Sequence, residues 1–202
     1  MPAPYLLVGH SLGGIYTRRY AQRFPEEVAG LLFLEPAHED FPAIVPKLTL
    51  LGRLRQSFAL ARVFLNFKRF YRGLLERMLA QWTDSMRERL IEYHLKWWRI
   101  GLREVKNQDE LYDEIRQGGD MPDVPLLVLS GSGTDPFQAA LMPESYLREL
   151  NDGIRGLYTA LAESVPRGEH RVFENAGHAT IHTDRPDAVV QAIREMFDKV
   201  DR

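Results

Sequence analysis

The strongest structural signal in the chain is YLLVGHSLG, residues 5–13, in which a serine stands between two glycines directly after an apolar run. Tyr5-Leu6-Leu7-Val8 is short and apolar, which predicts a strand buried on both faces. From Leu12 to Phe24 the apolar residues recur every three or four positions, which predicts a helix that packs one face. A strand that turns sharply into a helix exposes its corner residue, and Gly9 and Gly13 are predicted to leave room for that turn. We therefore expect the Ser11 hydroxyl to be an exposed nucleophile.

The rest of the chain alternates between strand and helix patterns. Three further buried strands are predicted over 28–34 (VAGLLFL), 125–129 (PLLVL) and 170–173, and a last helix opens near 184–187. This alternation predicts an α/β fold with a mostly parallel sheet of about four strands. Residues 37–120 are rich in Arg, Leu and aromatics and are predicted to be helical. We expect a core formed by 1–36 and 121–202, with 37–120 inserted as a helical cap or lid.

Composition excludes several classes of protein. The 26 basic and 28 acidic residues give a formal charge of −2, which argues against a nucleic-acid partner. Cysteine is absent, so disulfides and thiol nucleophiles are excluded. No apolar run reaches about 18 residues and no signal peptide is recognisable, so we expect no stable membrane insertion and a cytoplasmic location. No His and carboxylate spacing suits a metal, and we expect no metal and no cofactor.

A serine nucleophile needs a base, and the base needs a carboxylate to orient it. His178 follows the fourth predicted strand and Asp135 follows the third, so both would reach the same edge of the sheet. Glu35 also ends a strand and is the alternative acid. His182 is a second candidate for the base, although a loop histidine is the simpler interpretation. The helix that begins at Leu12 would point its N–H at a developing oxyanion.

The segments LLVGHSLGG, VAGLLFLEP, VPLLVLSGSGTDP and NAGHATIHTDRPDAVVQAI together resemble the α/β-hydrolase superfamily over nearly the whole chain. The resemblance implies that Ser11 is the nucleophile, His178 the general base, Asp135 the acid and Leu12 N–H one half of the oxyanion hole. It implies hydrolysis of an ester, or an amide, of a small or medium apolar substrate through an acyl-enzyme. The alternatives are a non-catalytic remnant or interaction module, and other chemistry on the same fold such as C–C bond hydrolysis.

The start of the chain is unusual for that superfamily, in which several strands and a second oxyanion donor precede the nucleophile strand. Only eight residues precede Gly9. We therefore expect an N-terminally truncated hydrolase whose first strand is a sheet edge, open to self-association. Loss of one oxyanion donor would cost on the order of 10²–10³ in kcat.

Two expectations concern the cap. The group formed by Trp82, Met86, Trp97 and Trp98 is interpreted as cap core rather than a substrate contact. The basic residues of the cap are interpreted as its solvated face, with contact to a membrane surface as the alternative.

Overall fold

A computed structural model describes residues 2–133 and 136–200. Its four strands form one sheet in the order β1-β2-β3-β4, and each neighbouring pair is parallel. The strands are β1 (Tyr5–His10), β2 (Val28–Leu34), β3 (Leu126–Gly131) and β4 (Gly168–Phe173). This confirms the predicted α/β fold and its parallel sheet. Within the described residues, β1 is an edge strand, as the sequence predicted.

Helices connect the strands, and a long helical segment separates β2 from β3. The helices are α1 (Leu12–Arg23), α2 (Phe41–Ile44), α3 (Leu50–Leu65), α4 (Phe67–Met78), α5 (Asp84–Lys106), α6 (Gln108–Gln117), α7 (Pro136–Leu141), α8 (Glu144–Glu163), α9 (Ile181–Asp184) and α10 (Pro186–Val200). A 3-10 turn over Pro25–Glu27 leads into β2. None of the described helices combines the length and the apolar composition needed to cross a bilayer.

The core lies on both faces of the sheet, and β2 shows how it is divided. Leu31 and Phe33 point to one face, where they pack in a cluster with residues of α1 and α8. Leu32 and Leu34 point to the other face and pack with residues of α10. All four side chains are buried, which explains why β2 reads as an unbroken apolar run rather than an alternating one.

The register brings the carboxyl ends of the strands together. His10 pairs with Leu34, Leu34 with Leu129, and Gly131 with Phe173. The residues that follow β1, β2, β3 and β4 therefore meet at one edge of the sheet, where α/β folds gather their sites.

The helices between β2 and β3 bury few of their described residues. In α6, Tyr112 and Ile115 form a buried cluster with Ile15 of α1. In α5, Ile91 is fully buried. The prediction of an aromatic cap core is wrong for Trp82, Met86 and Trp97, which are exposed. Helix α5 contacts α4 and α6, and these contacts do not cover the side chains of Met86 and Trp97.

Candidate active site

Ser11 sits at the corner between β1 and α1 in a strained backbone conformation, with φ 52° and ψ −125°. Three backbone hydrogen bonds hold it there. Its N–H donates to Leu34 O (3.1 Å), and its carbonyl accepts from Gly14 N (2.9 Å) and Ala37 N (2.8 Å). Two of these bonds come from the end of β2 and the residues beyond it. The neighbouring strand therefore fixes the corner that exposes the serine hydroxyl.

Small residues make this corner possible, but not all of those predicted. A Cβ at Gly9 would lie 2.6 Å from Thr17 Oγ1, so only glycine fits there. A Cβ at Gly13 would meet nothing within 4 Å among the described residues, so the predicted crowding at Gly13 is not found. The tight contact is at Gly14, where a Cβ would lie 2.5 Å from Pro36 Cβ. The sequence analysis did not single out Gly14, whose lack of a side chain leaves room for the loop after β2.

His178 lies beyond β4 and contacts both Ser11 and Glu35. Its Nε2 is 3.0 Å from Ser11 Oγ, and its Nδ1 is 3.4 Å from Glu35 Oε2. An ionised carboxylate can only accept, so these partners assign the proton to Nδ1. Nε2 is then free to accept the proton of the Ser11 hydroxyl. The arrangement can remove a proton from Ser11 and stabilise the imidazolium that results.

Glu35 directly follows β2, and hydrogen bonds hold both its backbone and its side chain. Its backbone has a positive φ of 45° and its N–H donates to Leu129 O at 2.9 Å. The side chain is 6% exposed. Oε1 accepts from Gly131 N at 2.5 Å, and Oε2 accepts from the Tyr158 hydroxyl at 3.4 Å. Burial, reinforced by Glu35, raises the pKa of Tyr158 well above its usual range, so Tyr158 stays protonated and donates.

His10, the residue before Ser11, contacts the backbone of His178. Its Nε2–H donates to the backbone carbonyl of His178 at 2.9 Å. Burial lowers the pKa of His10, which favours its neutral form beside His178. The ring of His182, the alternative base, lies edge-on to the His10 ring at a centroid distance of 5.5 Å. His10 thus stands next to both His178 and His182, while His178 carries the contact to Ser11.

Two other predicted site residues have different outcomes. Leu12 is the first residue of α1, and a first-turn N–H has no acceptor within its own helix. That N–H lies beside Ser11, where an oxyanion would form. Asp135, the first candidate for the acid, lies outside the described residues.

A cavity of about 190 Å³ is lined by Ser11, Glu35 and His178. Its other walls come from the loop after β2 and from α2, α6, α7 and α8, and they include both apolar and polar side chains. The apolar ones are Pro36, Ala37, Phe41 and Ile154, and the polar ones include Gln108, Asn151 and Arg155. The sequence analysis did not single out Tyr158, whose hydroxyl contacts Glu35. It also missed Arg155. Only the three-dimensional arrangement brings these two residues of α8 to the cavity that Ser11 also lines.

Comparisons with known proteins identify the family and the fold of the chain. Residues 1–192 match the Alpha/beta hydrolase family. Among solved structures, Cfl2 from Burkholderia cenocepacia is 16% identical, with a TM-score of 0.66 over 96% of this chain and 66% of that one. A structure described as a probable hydrolytic enzyme from Pseudomonas aeruginosa PAO1 is 22% identical, with a TM-score of 0.56 over 96% of this chain and 63% of that one. A thermophilic esterase is 18% identical, with a TM-score of 0.53 over 96% and 66%.

The chain therefore spans just under two thirds of the length of these three structures. The likeness at such low identity concerns the fold. A comparison with curated proteins gave no match.

Proposed function

Since the chain belongs to the alpha/beta hydrolase family, we propose that it is a serine hydrolase that cleaves an ester bond through a Ser11, His178 and Glu35 triad. One observation carries the proposal. Ser11 Oγ lies 3.0 Å from Nε2 of His178, whose Nδ1 faces a buried carboxylate. A nucleophile, a base and an orienting acid in hydrogen-bond sequence are the arrangement that acyl transfer requires.

Glu35 is favoured as the acid because its carboxylate is buried and because its Oε2 faces Nδ1 of His178. The backbone N–H of Gly131 fixes one oxygen and leaves the other for the imidazole. This reverses the preference from the sequence, which placed Asp135 first and Glu35 second. Both residues follow strands that end at this edge, so position along the chain alone could not choose between them.

The proposed reaction uses these groups in turn. His178 accepts the Ser11 proton at Nε2 while Oγ attacks the ester carbonyl, and the Leu12 N–H donates to the oxyanion. His178 then gives the proton to the leaving alcohol. A water molecule, deprotonated by the same nitrogen, resolves the acyl-enzyme. The Glu35 carboxylate accepts the hydrogen bond from Nδ1–H and stabilises the imidazolium.

The cavity points to a small substrate. A volume of about 190 Å³ suits a short acyl chain better than a long one. Phe41 and Ile154 offer apolar contact, and Asn151 and Arg155 offer a hydrogen-bonding wall on the same cavity. We propose a short-chain ester, with Asn151 and Arg155 placed to contact its polar end.

The test is hydrolysis of p-nitrophenyl butyrate together with labelling by a fluorophosphonate, read by intact-protein mass spectrometry. We expect turnover and a single adduct on Ser11, and we expect Ser11→Ala to abolish both. The matched control is Ser132→Ala, on an exposed serine beyond β3, which should leave both unchanged. A Ser11→Ala protein that still hydrolyses the ester at the same rate would refute the proposal.

The edge strand β1 carries a separate proposal about partners. Val8 is 44% exposed at an edge that pairs only with β2 among the described residues. An open strand edge can pair with the same edge of a second copy. We therefore keep self-association through β1 as a prediction. Light scattering on a Val8→Lys protein, compared with the unchanged chain, would test it.

A further inference from the structure

Helix α3 packs against the protein through its less apolar side. Its half-buried residues recur at steps of three and four, and so share one face: Gly52, Gln56, Ala59 and Val63. This face packs on α7, and Gln56 Nε2 lies 3.5 Å from Met142 Sδ. Two of the four inward residues have no more than a methyl side chain, so the helix rests on the molecule with little burial of its own.

The opposite face of α3 carries its large apolar side chains into solvent. Leu50, Leu54, Phe58 and Leu65, at steps of four and seven, share this face and are 77%, 62%, 70% and 81% exposed. Leu51 beside them is 57% exposed. We call this set the α3 stripe. A surface helix ordinarily turns its apolar face to the core and its polar face to water, and α3 does the reverse. Such a contiguous exposed set marks an interaction surface.

The charge around the α3 stripe has one sign. Residues 41–75 contain seven Lys and Arg residues and no Asp or Glu. Arg55 and Arg62, seven residues apart, follow one border of the stripe, and Arg53 follows the other. A solvated surface of a near-neutral protein mixes both signs, whereas this segment carries only cations beside its apolar face.

A basic groove adjoins the α3 stripe on the side of Arg62. It lies between α3 and α4, has a volume of about 760 Å³, and is lined by three arginines, Arg62, Arg69 and Arg77. Arg72 on the same segment is bound to Glu76 and Glu88. In the described part of the chain, no carboxylate forms an ion pair with any of the three groove arginines. The groove is therefore open to an anion from outside.

We propose that the α3 stripe and the basic groove dock on the surface of an anionic phospholipid bilayer. An in-plane helix of this kind buries its apolar face at the acyl boundary, while flanking cations meet the headgroups. A protein partner would have to combine an apolar groove with carboxylates at matching positions. A bilayer offers acyl chains and phosphates along the whole length of α3.

The α3 stripe faces away from α7, so in this orientation α3 would lie between the bilayer and the cavity. α3 packs on α7, and Gln138 of α7 lines the cavity that contains Ser11. The docking itself does not depend on catalysis, so it can be tested without an activity measurement.

The experiment is co-sedimentation of the full chain with vesicles of phosphatidylcholine alone or of phosphatidylcholine mixed with phosphatidylglycerol. We expect binding to the mixed vesicles that falls as salt is raised. Replacing two stripe residues (Leu54→Ser with Phe58→Ser) should weaken this binding about tenfold or more. Replacing two groove arginines (Arg62→Gln with Arg69→Gln) should weaken it by a similar factor. The matched control is Phe197→Ser on α10, an exposed aromatic on another helix, which should bind like the unchanged chain.

Three results would overturn the proposal. The first is absence of binding to anionic vesicles by the unchanged chain, with circular dichroism showing it folded. The second is binding that the stripe and groove variants retain in full. The third is a dimer in light scattering that the stripe variant dissociates while no vesicle binding is seen, because the stripe would then be covered by a second copy.

Discussion

The carboxyl edge of the sheet and helix α3 differ sharply in how many contacts hold their residues in place. At the sheet edge, Ser11 and Glu35 both adopt positive φ angles and are held by backbone hydrogen bonds to neighbouring segments. In α3, no described residue is buried, and the largest side chains face solvent. The carboxyl edge of the sheet is thus fixed by backbone hydrogen bonds, whereas α3 makes no contacts that would bury its large apolar side chains.

The largest effect is expected at the base. His178→Ala should lower kcat by about 10⁴ or more, because the Ser11 hydroxyl loses the side chain that, among the described residues, lies within hydrogen-bond reach of it. His182→Ala is the matched control and should change kcat little, since the ring of His182 packs on His10. Steady-state hydrolysis of p-nitrophenyl butyrate measures both. A large loss in His182→Ala with His178→Ala unaffected would reverse the assignment.

The next effect contrasts two phenylalanines. Phe33 is fully buried in β2, and Phe58 is 70% exposed on α3. Phe33→Ala should lower the free energy of unfolding by about 3–5 kcal/mol, since it leaves a cavity in the core. Phe58→Ala should change it by no more than about 0.5 kcal/mol. Urea denaturation followed by circular dichroism compares them. Equal losses would mean that α3 packs far more tightly than described.

A smaller effect is expected where α8 meets the site. Tyr158→Phe removes the hydroxyl that donates to Glu35 Oε2, so kcat should fall about tenfold while KM stays close to its original value. Tyr112→Phe is the matched control, because Tyr112 also lines the cavity but its hydroxyl contacts Gln108. An unchanged kcat in Tyr158→Phe would show that Gly131 alone is enough to hold Glu35.

The smallest effect is a dependence of stability on pH. Burial lowers the pKa of His10, His38 and His170 below the ordinary value of 6.5. Below that value the unfolded chain binds protons that the folded chain does not, so the free energy of unfolding should fall as pH drops from about 7.5 to about 5.5. Urea denaturation at the two pH values measures it. A free energy of unfolding that rises as the pH drops over this interval would contradict the described burial of the three rings.

Much of the sheet could be predicted from the sequence, because apolar runs and turn residues are local signals. The run over 28–34 gave the bounds of β2 directly, and the serine between glycines gave the β1–α1 corner. Orientation within the inserted segment could not be predicted in this way. Trp97 and Phe58 lie on periodic apolar stripes that favour burial, yet both are exposed. Periodicity shows that a helix has an apolar face, but not which neighbour covers it.

The choice of acid shows a second limit. Glu35 and Asp135 each follow a strand that ends at the same edge, and both offer a carboxylate. What favours Glu35 is long-range: the N–H of Gly131, the hydroxyl of Tyr158 and the Nδ1 of His178 converge on it. No spacing along the chain encodes that convergence, so the sequence could not exclude either residue as the acid.

The most direct test of the triad compares Glu35→Gln with Asp135→Asn in the same hydrolysis measurement. Each change keeps the size of the side chain and removes its charge. The account predicts a fall in kcat of about 10³–10⁴ for Glu35→Gln, because His178 loses the partner that fixes its tautomer, and little change for Asp135→Asn. The opposite result, a large loss in Asp135→Asn with Glu35→Gln still active, would contradict it and return the role of the acid to Asp135.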